Sequence, residues 1–390
     1  KSRDGWTGFR SWRQSQDTVD PEVAISDDAE CNIIYSSGTT GQPKGIVHTH
    51  RRRLDWFYDL AIALRIHRAS VNLCSIGLFS NISWAAMGCM VLTGSTVVIL
   101  REFDATSCLR AIAGHRVSTT AMVPVQYQRI IDEPDFGAHD LGSIESLMCC
   151  GSPLGSELKA AIMKHISPRL IELYGLTEGL ITTLEPEDAA GRLSSVGKPL
   201  MGTDLCILNE QDEPCPPGDA GEIVGRGRIL MAGYHARHDA NEQASWIDDQ
   251  GRCWLRTGDI GRLDQQGFLY LVDRKKDLII SGGLNISPAD IEQVVLTHPA
   301  VREAAVIGIN SERWGESPFA VLVAAEENLD SQNVIAWTNE RVGKHQRLAG
   351  GVVVDALPRN ANGKILKREL RNQWGDWLSR DPKASGTPHA

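Results

Sequence analysis

The densest phosphate-binding chemistry in the chain lies in ten residues near its start, SSGTTGQPKG at Ser36–Gly45. Ser36, Ser37, Thr39 and Thr40 carry hydroxyls, Gly38, Gly41 and Gly45 free the backbone, and Lys44 carries a charge. Glycines let backbone N–H groups converge on an anion, while hydroxyls and an ammonium add donors. That combination suits a polyphosphate cradle. The spacing is not the GxxxxGK[ST] of the common nucleotide loop, and the same composition also suits a plain surface turn.

The elements that must hold such a loop are legible around it. The loop follows the apolar run Ile33–Tyr35 and precedes a helix expected over Arg51–Leu64. From Val71 to Leu173, short apolar runs alternate with amphipathic stretches. The runs are Leu73–Ile76, Thr96–Leu100, Ser118–Val123, Ile144–Met148 and Leu170–Leu173, with helices expected near 82–92, 104–114, 124–132 and 155–166. Asp104 and Ser156 read as helix-start residues. This pattern predicts an α/β fold with a parallel, helix-covered sheet, whose ligands bind beyond the carboxyl ends of its strands. From Ser195 to Val272 glycine and proline become frequent and the runs shorten, which predicts a β-rich subdomain. After Arg274 the expected helices (Pro288–Thr297, Ser331–Val342, Ile365–Trp374) and strands (Val301–Ile309, Ala320–Ala324) predict a small α+β domain. The polar, Pro/Gly-rich tail beyond Trp377 is expected to be disordered.

Composition bounds the function. The chain has 390 residues and a net charge of −9. An acidic balance argues against nucleic acid or an anionic membrane surface as the main partner. No apolar stretch reaches the ~18 residues of a membrane span; Met87–Leu100 is interrupted by Gly88, Thr93, Gly94, Ser95 and Thr96. None of the nine cysteines forms a CxxC pair or fits a zinc spacing, so they are expected to be buried, reduced thiols of a cytoplasmic protein.

SSGTTGQPKG resembles the phosphate-loop signature of the adenylate-forming (AMP-binding) superfamily, which includes acyl- and aryl-CoA synthetases, adenylation domains of peptide synthetases, and luciferases. Five further segments resemble its signatures in order: YGLTEG (Tyr174–Gly179), GEIVGRGRILMAGYHA (Gly221–Ala236), RTGDIG (Arg256–Gly261), DRKKDLIISGGLNISPADIE (Asp273–Glu292) and PRNANGKILKREL (Pro358–Leu370). Together they span residues 36–370. The resemblance implies a large domain over 1–275, incomplete at its N-terminus because members usually carry a longer stretch before the phosphate loop. It also implies a small mobile C-terminal domain over 276–376, and leaves 377–390 as the tail.

The resemblance implies a role for each matched residue. Tyr174 stacks on adenine, with Gly175 beside it and with Gly151, Ser152 and Pro153 lining the base. Thr177 bonds the α-phosphate and Glu178 holds Mg²⁺, a hard ion that takes carboxylate oxygen. Asp259 accepts the ribose hydroxyls, as an acceptor-only carboxylate can, and Arg274 is a second ribose contact. Lys276 is the hinge, and Ser281, Gly282 and Gly283 form the loop that enters for the thiol step. Lys364 bridges the substrate carboxylate and the α-phosphate; Lys367, on the same helical face, has no motif support. Asn81, Ile82, Trp84, Cys150 and Gly179 are expected to line the acyl pocket. Ser80 stands where many members have His, which puts that residue's gating role in doubt. Cys149-Cys150-Gly151-Ser152-Pro153 stands where relatives have Ser-Gly-Ala-Ala-Pro, and two cysteine side chains there are expected to crowd the acyl site.

The implied reaction uses ATP, Mg²⁺ and CoA. A carboxylate attacks the α-phosphorus to give acyl-adenylate and pyrophosphate, and a thiol then displaces AMP after a rigid-body swing about Lys276. The Asp273–Glu292 segment reads like acyl-CoA synthetases, and the wall Asn81–Ala85 offers no carboxylate for an ammonium. The expectation is therefore an uncharged acyl or aryl acid and CoA, in fatty acid or related metabolism, with an assembly of two copies left open. Loading of a carrier-protein thiol is the alternative, and a nucleotide-binding protein without chemistry a third.

Overall fold

Between Val71 and Gly175 the apolar runs become strands and the amphipathic stretches become the helices that cover them. A computed structural model describes residues 5–20, 22–36, 43–274, 277–325, 329–360 and 363–380, with the main chain only at Arg274 and Arg380. Ser37, Gly38, Thr39, Thr40, Gly41 and Lys276 therefore lie outside the described residues. After the short helix α1 (Phe9–Gln14), which buries nothing, come β1 (Glu30–Ser36), β2 (Lys44–Thr49), α2 (His50–Ala63) and β3 (Val71–Cys74). Then come α3 (Asn81–Thr93), β4 (Thr96–Ile99), α4 (Ala105–His115), β5 (Thr119–Met122), α5 (Pro124–Ile131), β6 (Ser146–Cys149), α6 (Ser156–His165) and β7 (Leu170–Gly175). With β8 (Ile181–Leu184) and β9 (Lys198–Pro199) they form a seven-stranded sheet of order β4-β3-β5-β6-β7-β8-β9. The first five strands run parallel; β8 and β9 add an antiparallel edge.

Successive residues of a strand point to opposite faces, and here both faces are covered. Met148 and Cys150 join a core with Trp56 and Leu60 of α2 and Ala86 and Met90 of α3. Leu147 and Cys149 join a second core with Leu109, Tyr127 and Ile162 of α4, α5 and α6. The two adjacent cysteines are thereby sent to opposite sides of the sheet, and only Cys150 faces the α2–α3 side. Asp104 starts α4, accepting from Ser107 N at 2.8 Å. Ser156 is the first helical residue of α6; Gly155 holds the cap position and makes no side-chain bond.

The phosphate loop joins two antiparallel strands, so β2 intervenes before the expected helix. The glycine- and proline-rich region forms a five-stranded antiparallel sheet of β10 (Thr203–Leu208), β11 (Gly221–Gly227), β13 (Ser245–Ile247), β14 (Cys253–Leu263) and β15 (Leu269–Arg274). The pair Gly233–Tyr234 (β12) instead joins β1 and β2, and helix α7 (His238–Gln243) comes after it.

The C-terminal part has its own sheet, β17-β16-β19-β18, with β20 parallel to β19. Its strands are β16 (Ile279–Ser281), β17 (Leu284–Ile286), β18 (Val301–Ser311), β19 (Gly315–Ala324) and β20 (Gly350–Val353), and its helices α8 (Pro288–Leu296), α9 (Ser331–Asn339) and α10 (Lys367–Trp374). Helix α9 stops at Asn339, short of the expected Val342. The expectation of a disordered tail from 377 needs correction. A further helix, α11 (Trp377–Arg380), packs onto the small domain, with the Trp377 ring centroid 4.9 Å from that of Phe319. Apolar Trp377 and Leu378 hold it there, although the sequence around them is polar. Among the described residues no helix is long and apolar enough to cross a membrane.

Candidate active site

Three of the sequence signatures are stitched together at one place. Strand β12 pairs with β2, setting Tyr234 opposite Ile46. The bonds Ala232 N–H to Val47 O (2.8 Å) and His235 N–H to Gly45 O (2.7 Å) extend the join. Lys44 thereby lies over the Tyr234 ring, 4.6 Å from its centroid. The Tyr234 hydroxyl donates to Glu178 Oε1 at 2.9 Å, and Met231 N–H donates to Glu178 O at 2.6 Å. Burial and the neighbouring Glu178 carboxylate push the Tyr234 phenol up, so it stays a donor. The strand β2 side chain of His48 reaches the same segment, its Nε2 donating to Thr177 O at 2.8 Å.

The Tyr174–Gly179 turn lies at the carboxyl end of β7. Gly179 is required there: its φ is +109°, and a Cβ would come within 2.1 Å of Ile229 O. Tyr174 projects toward β14, where its hydroxyl donates to Asp259 Oδ2 at 2.7 Å. Asp259 is buried and sits opposite Arg274 in the β14–β15 register, beside a bulge at Ile260/Gly261. Such a bulge re-aims a side chain that a regular strand would send elsewhere. Thr257 fixes the turn, accepting from Asp259 N–H at 3.0 Å and donating to Ile223 O at 2.8 Å.

Of the acyl-pocket candidates, Ile82 and Cys150 share one core cluster. Gly151, at φ +90°, lies against Ile82 and Val123; a Cβ there would stand 3.1 Å from each. Trp84 is two residues further along α3, its ring 5.7 Å from Phe57 of α2. Asn81 opens that helix, half-buried, and Ser80 caps it, accepting from Ile82 N–H at 3.3 Å. Cys150 is buried in the α2–α3 core, where desolvation pushes its thiol up to about 12. It fills apolar space and offers no nucleophile. All nine cysteines are free thiols, and five are buried as expected. Cys31, Cys206 and Cys215 are partly exposed and Cys253 is exposed, all four lying outside the two large cores.

The lysine loop reaches the large domain. Gly363, beside Lys364, has its Cα environment set by Val125 and Val123, 3.3 and 4.0 Å from the position of a Cβ. Those residues come just after β5, a central strand of the parallel sheet. The loop is braced by Asn360 Oδ1, which accepts from Lys364 N–H at 2.9 Å, and by Arg359, which bonds Gly363 O and Glu303 at 2.6 Å each. Lys367 is tied to Glu292 at 2.7 Å. Gly282 and Gly283 form the two-residue turn between β16 and β17, with φ of +59° and +81°. Two left-handed residues in succession suit glycine at a tight hairpin. Ser281 is buried at its base, and Gly282 N–H donates to Trp314 O at 2.8 Å.

Residues 3–235 match the AMP-binding enzyme family, and residues 290–364 match the AMP-binding enzyme C-terminal domain. The chain belongs to the AMP-binding enzyme family. A 2-succinylbenzoate–CoA ligase of Bacillus velezensis is 35% identical over 354 residues, covering 90% of this chain and 70% of that relative. A feruloyl-CoA synthase of Amycolatopsis is 34% identical over 367 residues, covering 92% and 73%. The solved o-succinylbenzoate CoA synthetase of Bacillus subtilis, in complex with ATP and magnesium ion, superposes with a TM-score of 0.80 at 34% identity, covering 90% of this chain and 72% of that one.

Glu178 is the candidate magnesium ligand of this chain. Tyr234 occupies one oxygen of Glu178 and leaves the other. Among the described residues no three His, Cys, Asp or Glu side chains form a cage. One carboxylate plus substrate phosphates is how Mg²⁺ is commonly held, so the donor set fits. Sequence reasoning does not single out Tyr234, His48, Thr257 or Trp314. Tyr234 and Thr257 lie within quoted signatures; nothing in the spacing marks His48 or Trp314.

Proposed function

We propose that this AMP-binding enzyme is an acid–CoA ligase that forms an acyl-adenylate from ATP and then a thioester with CoA. The observation that carries it is the docking of the Lys364 loop against Val123 and Val125, at the same edge of the sheet as the Tyr174–Gly179 turn. Tyr174 offers a face to adenine and Asp259 two acceptor oxygens to the ribose diol, with Arg274 opposite. The hydroxyls of Ser36, Ser37, Thr39 and Thr40, the glycines Gly38 and Gly41, and Lys44 receive the β- and γ-phosphates. Glu178 would hold Mg²⁺, which offsets phosphate charge when bound.

In the first half-reaction a carboxylate oxygen attacks the α-phosphorus and the bond to pyrophosphate breaks. Positioning and charge neutralisation carry such a step. Thr177 bonds the α-phosphate and Lys364 draws the carboxylate to it. In the second, the CoA sulfur attacks the acyl carbonyl and AMP leaves. The Ser281–Gly283 turn, with Trp314 beside it, then replaces Lys364. Glu303, which braces the lysine loop, and Ser311, next to the Trp314 turn, are eight residues apart on β18, about 26 Å at ~3.3 Å per residue. A separation of that size calls for rotation of the whole small domain, from 276 onward, about Lys276.

The acid is an acyl or aryl carboxylate without an α-ammonium, since Asn81, Ile82 and Trp84 supply no counter-charge. ATP–pyrophosphate exchange across a panel of carboxylates tests the first step. CoA-dependent release of AMP with no carrier protein present tests the second; release only with a carrier protein would overturn the choice of CoA.

A further inference from the structure

Arg53, on the first turn of α2, is only 1% exposed, and no carboxylate faces it among the described residues. Its Nε donates to Asn32 Oδ1 at 2.8 Å. Its Nη1 and Nη2, and the Nδ2 of Asn32, are buried with no hydrogen-bond partner among the described residues. The guanidinium lies between two indoles, 5.0 Å from the Trp56 ring centroid and 5.5 Å from that of Trp84. Aromatic faces attract a cation but supply no in-plane acceptor for its N–H groups. A buried charge without an acceptor costs more than an apolar side chain of similar size. Burial lowers the Arg53 pKa to about 10, still cationic near neutrality.

The position of this cluster matters as much as its chemistry. Asn32 faces His48 across the β1–β2 pair, and His48 donates to Thr177 O. On the other side Trp84 sits two residues after Ile82, which meets Gly151. The cluster thus abuts, at both ends, the segments proposed to hold the adenylate and the acyl group.

We infer that Arg53 and Asn32, between Trp56 and Trp84, form a deep subsite for a second carboxylate on the acid that is activated. The inference rests on the ligase reading and narrows its substrate class to acids with a remote acidic group. Two guanidinium N–H groups and the Asn32 amide match the two oxygens of a carboxylate, which Arg binds bidentately. The Asn81–Ala85 wall argues against an ammonium, and Arg53 adds a preference of the opposite sign. The expectation of an uncharged acid is revised accordingly.

The test compares α,ω-dicarboxylates from succinate to sebacate, and terephthalate, with monocarboxylates of matched length, reading KM and kcat in ATP–pyrophosphate exchange. At the length that reaches Arg53, the diacid should show a KM at least tenfold below its monoacid, with similar kcat. Arg53→Met should erase that difference by raising the diacid KM alone, and Arg53→Lys should restore part of it. No preference at any length, or a preference that survives Arg53→Met, overturns the inference. Should Arg53→Met fail to fold, the wild-type comparison and Arg53→Lys decide. If no acid supports exchange, the ligase reading fails, and calorimetric titration of the same acids still reads the diacid preference.

Discussion

The Tyr174 hydroxyl and Asp259 Oδ2 are joined by a 2.7 Å hydrogen bond across 85 residues of sequence. One contact therefore sets the proposed platform for the base against the proposed acceptor for the sugar. Asp259→Ala removes charge-assisted bonds of about 1.5–3 kcal/mol, so AMP affinity by calorimetry should fall roughly tenfold to a hundredfold. Tyr174→Phe keeps the stacking face and should lose only a few-fold. Unchanged affinity in Asp259→Ala rules out the ribose role.

Lys364→Ala should abolish pyrophosphate exchange while largely sparing CoA transfer from supplied acyl-adenylate. In its proposed role the lysine acts where charge develops at phosphorus, a contribution specific to that step. Equal losses in both half-reactions would refute its assignment.

Gly179→Ala should be costly even though only one methyl is added. The φ of +109° and the approach of Ile229 O leave no room for a Cβ. Strain of about 1–3 kcal/mol is the expected scale, with Glu178 displaced next to it. Thermal denaturation and exchange activity read the two effects; a variant normal in both contradicts the geometry.

His48 gives the fold an acid-side dependence on pH. Burial, seconded by the charge of Arg53, holds its pKa down at about 3, against an ordinary 6.5. Between those values the unfolded chain binds the extra proton, so stability present above pH 6.5 is lost as pH falls toward 3. His48→Gln, which can still donate to Thr177 O, should flatten that part of the profile measured by urea unfolding. An unaltered profile would show that His48 does not titrate on unfolding.

Lys159 and Glu172 form a buried ion pair beneath β7, and Lys159 also donates to Leu193 O and Ser195 O. Desolvation raises Glu172 to about 7 despite its partner. Its sign is opposite to that of His48: from about 4.5 to 7 the folded state holds the proton better, and stability falls as pH rises. Lys159→Met strands the carboxylate and should cost about 3–5 kcal/mol at pH 8. The cost should shrink at pH 5, where Glu172 is protonated. Equal losses at the two pH values would argue that Lys159 acts through its carbonyl contacts alone.

The strands β3 to β7 are legible in the sequence because each apolar run is short, evenly spaced and bounded by a helix pattern. Asp104 announces its helix through ordinary cap chemistry. The Lys44–Thr49 strand is hidden, since KGIVHT runs directly into α2 without a breaker. Chemistry-bearing residues within signatures can be read; their mutual arrangement cannot. Tyr174 meeting Asp259, and Tyr234 meeting Glu178, depend on pairings between distant strands that no local pattern encodes. Arg53 is the extreme case. In sequence it is the third of three consecutive arginines, which reads as a solvated basic run, yet the helix turns it inward.

The lysine loop and the glycine turn lie beside opposite ends of the β18–β19 hairpin, through Glu303 and Trp314, so the proposed mechanism gives the small domain two working ends and a single place to use them. In the proposed mechanism one end is idle while the other is engaged, so each catalytic cycle includes a swing of the small domain and its return. That mechanical interval is the same whichever acid has been activated. For good substrates that swing would set a common ceiling on turnover and leave discrimination among them to KM.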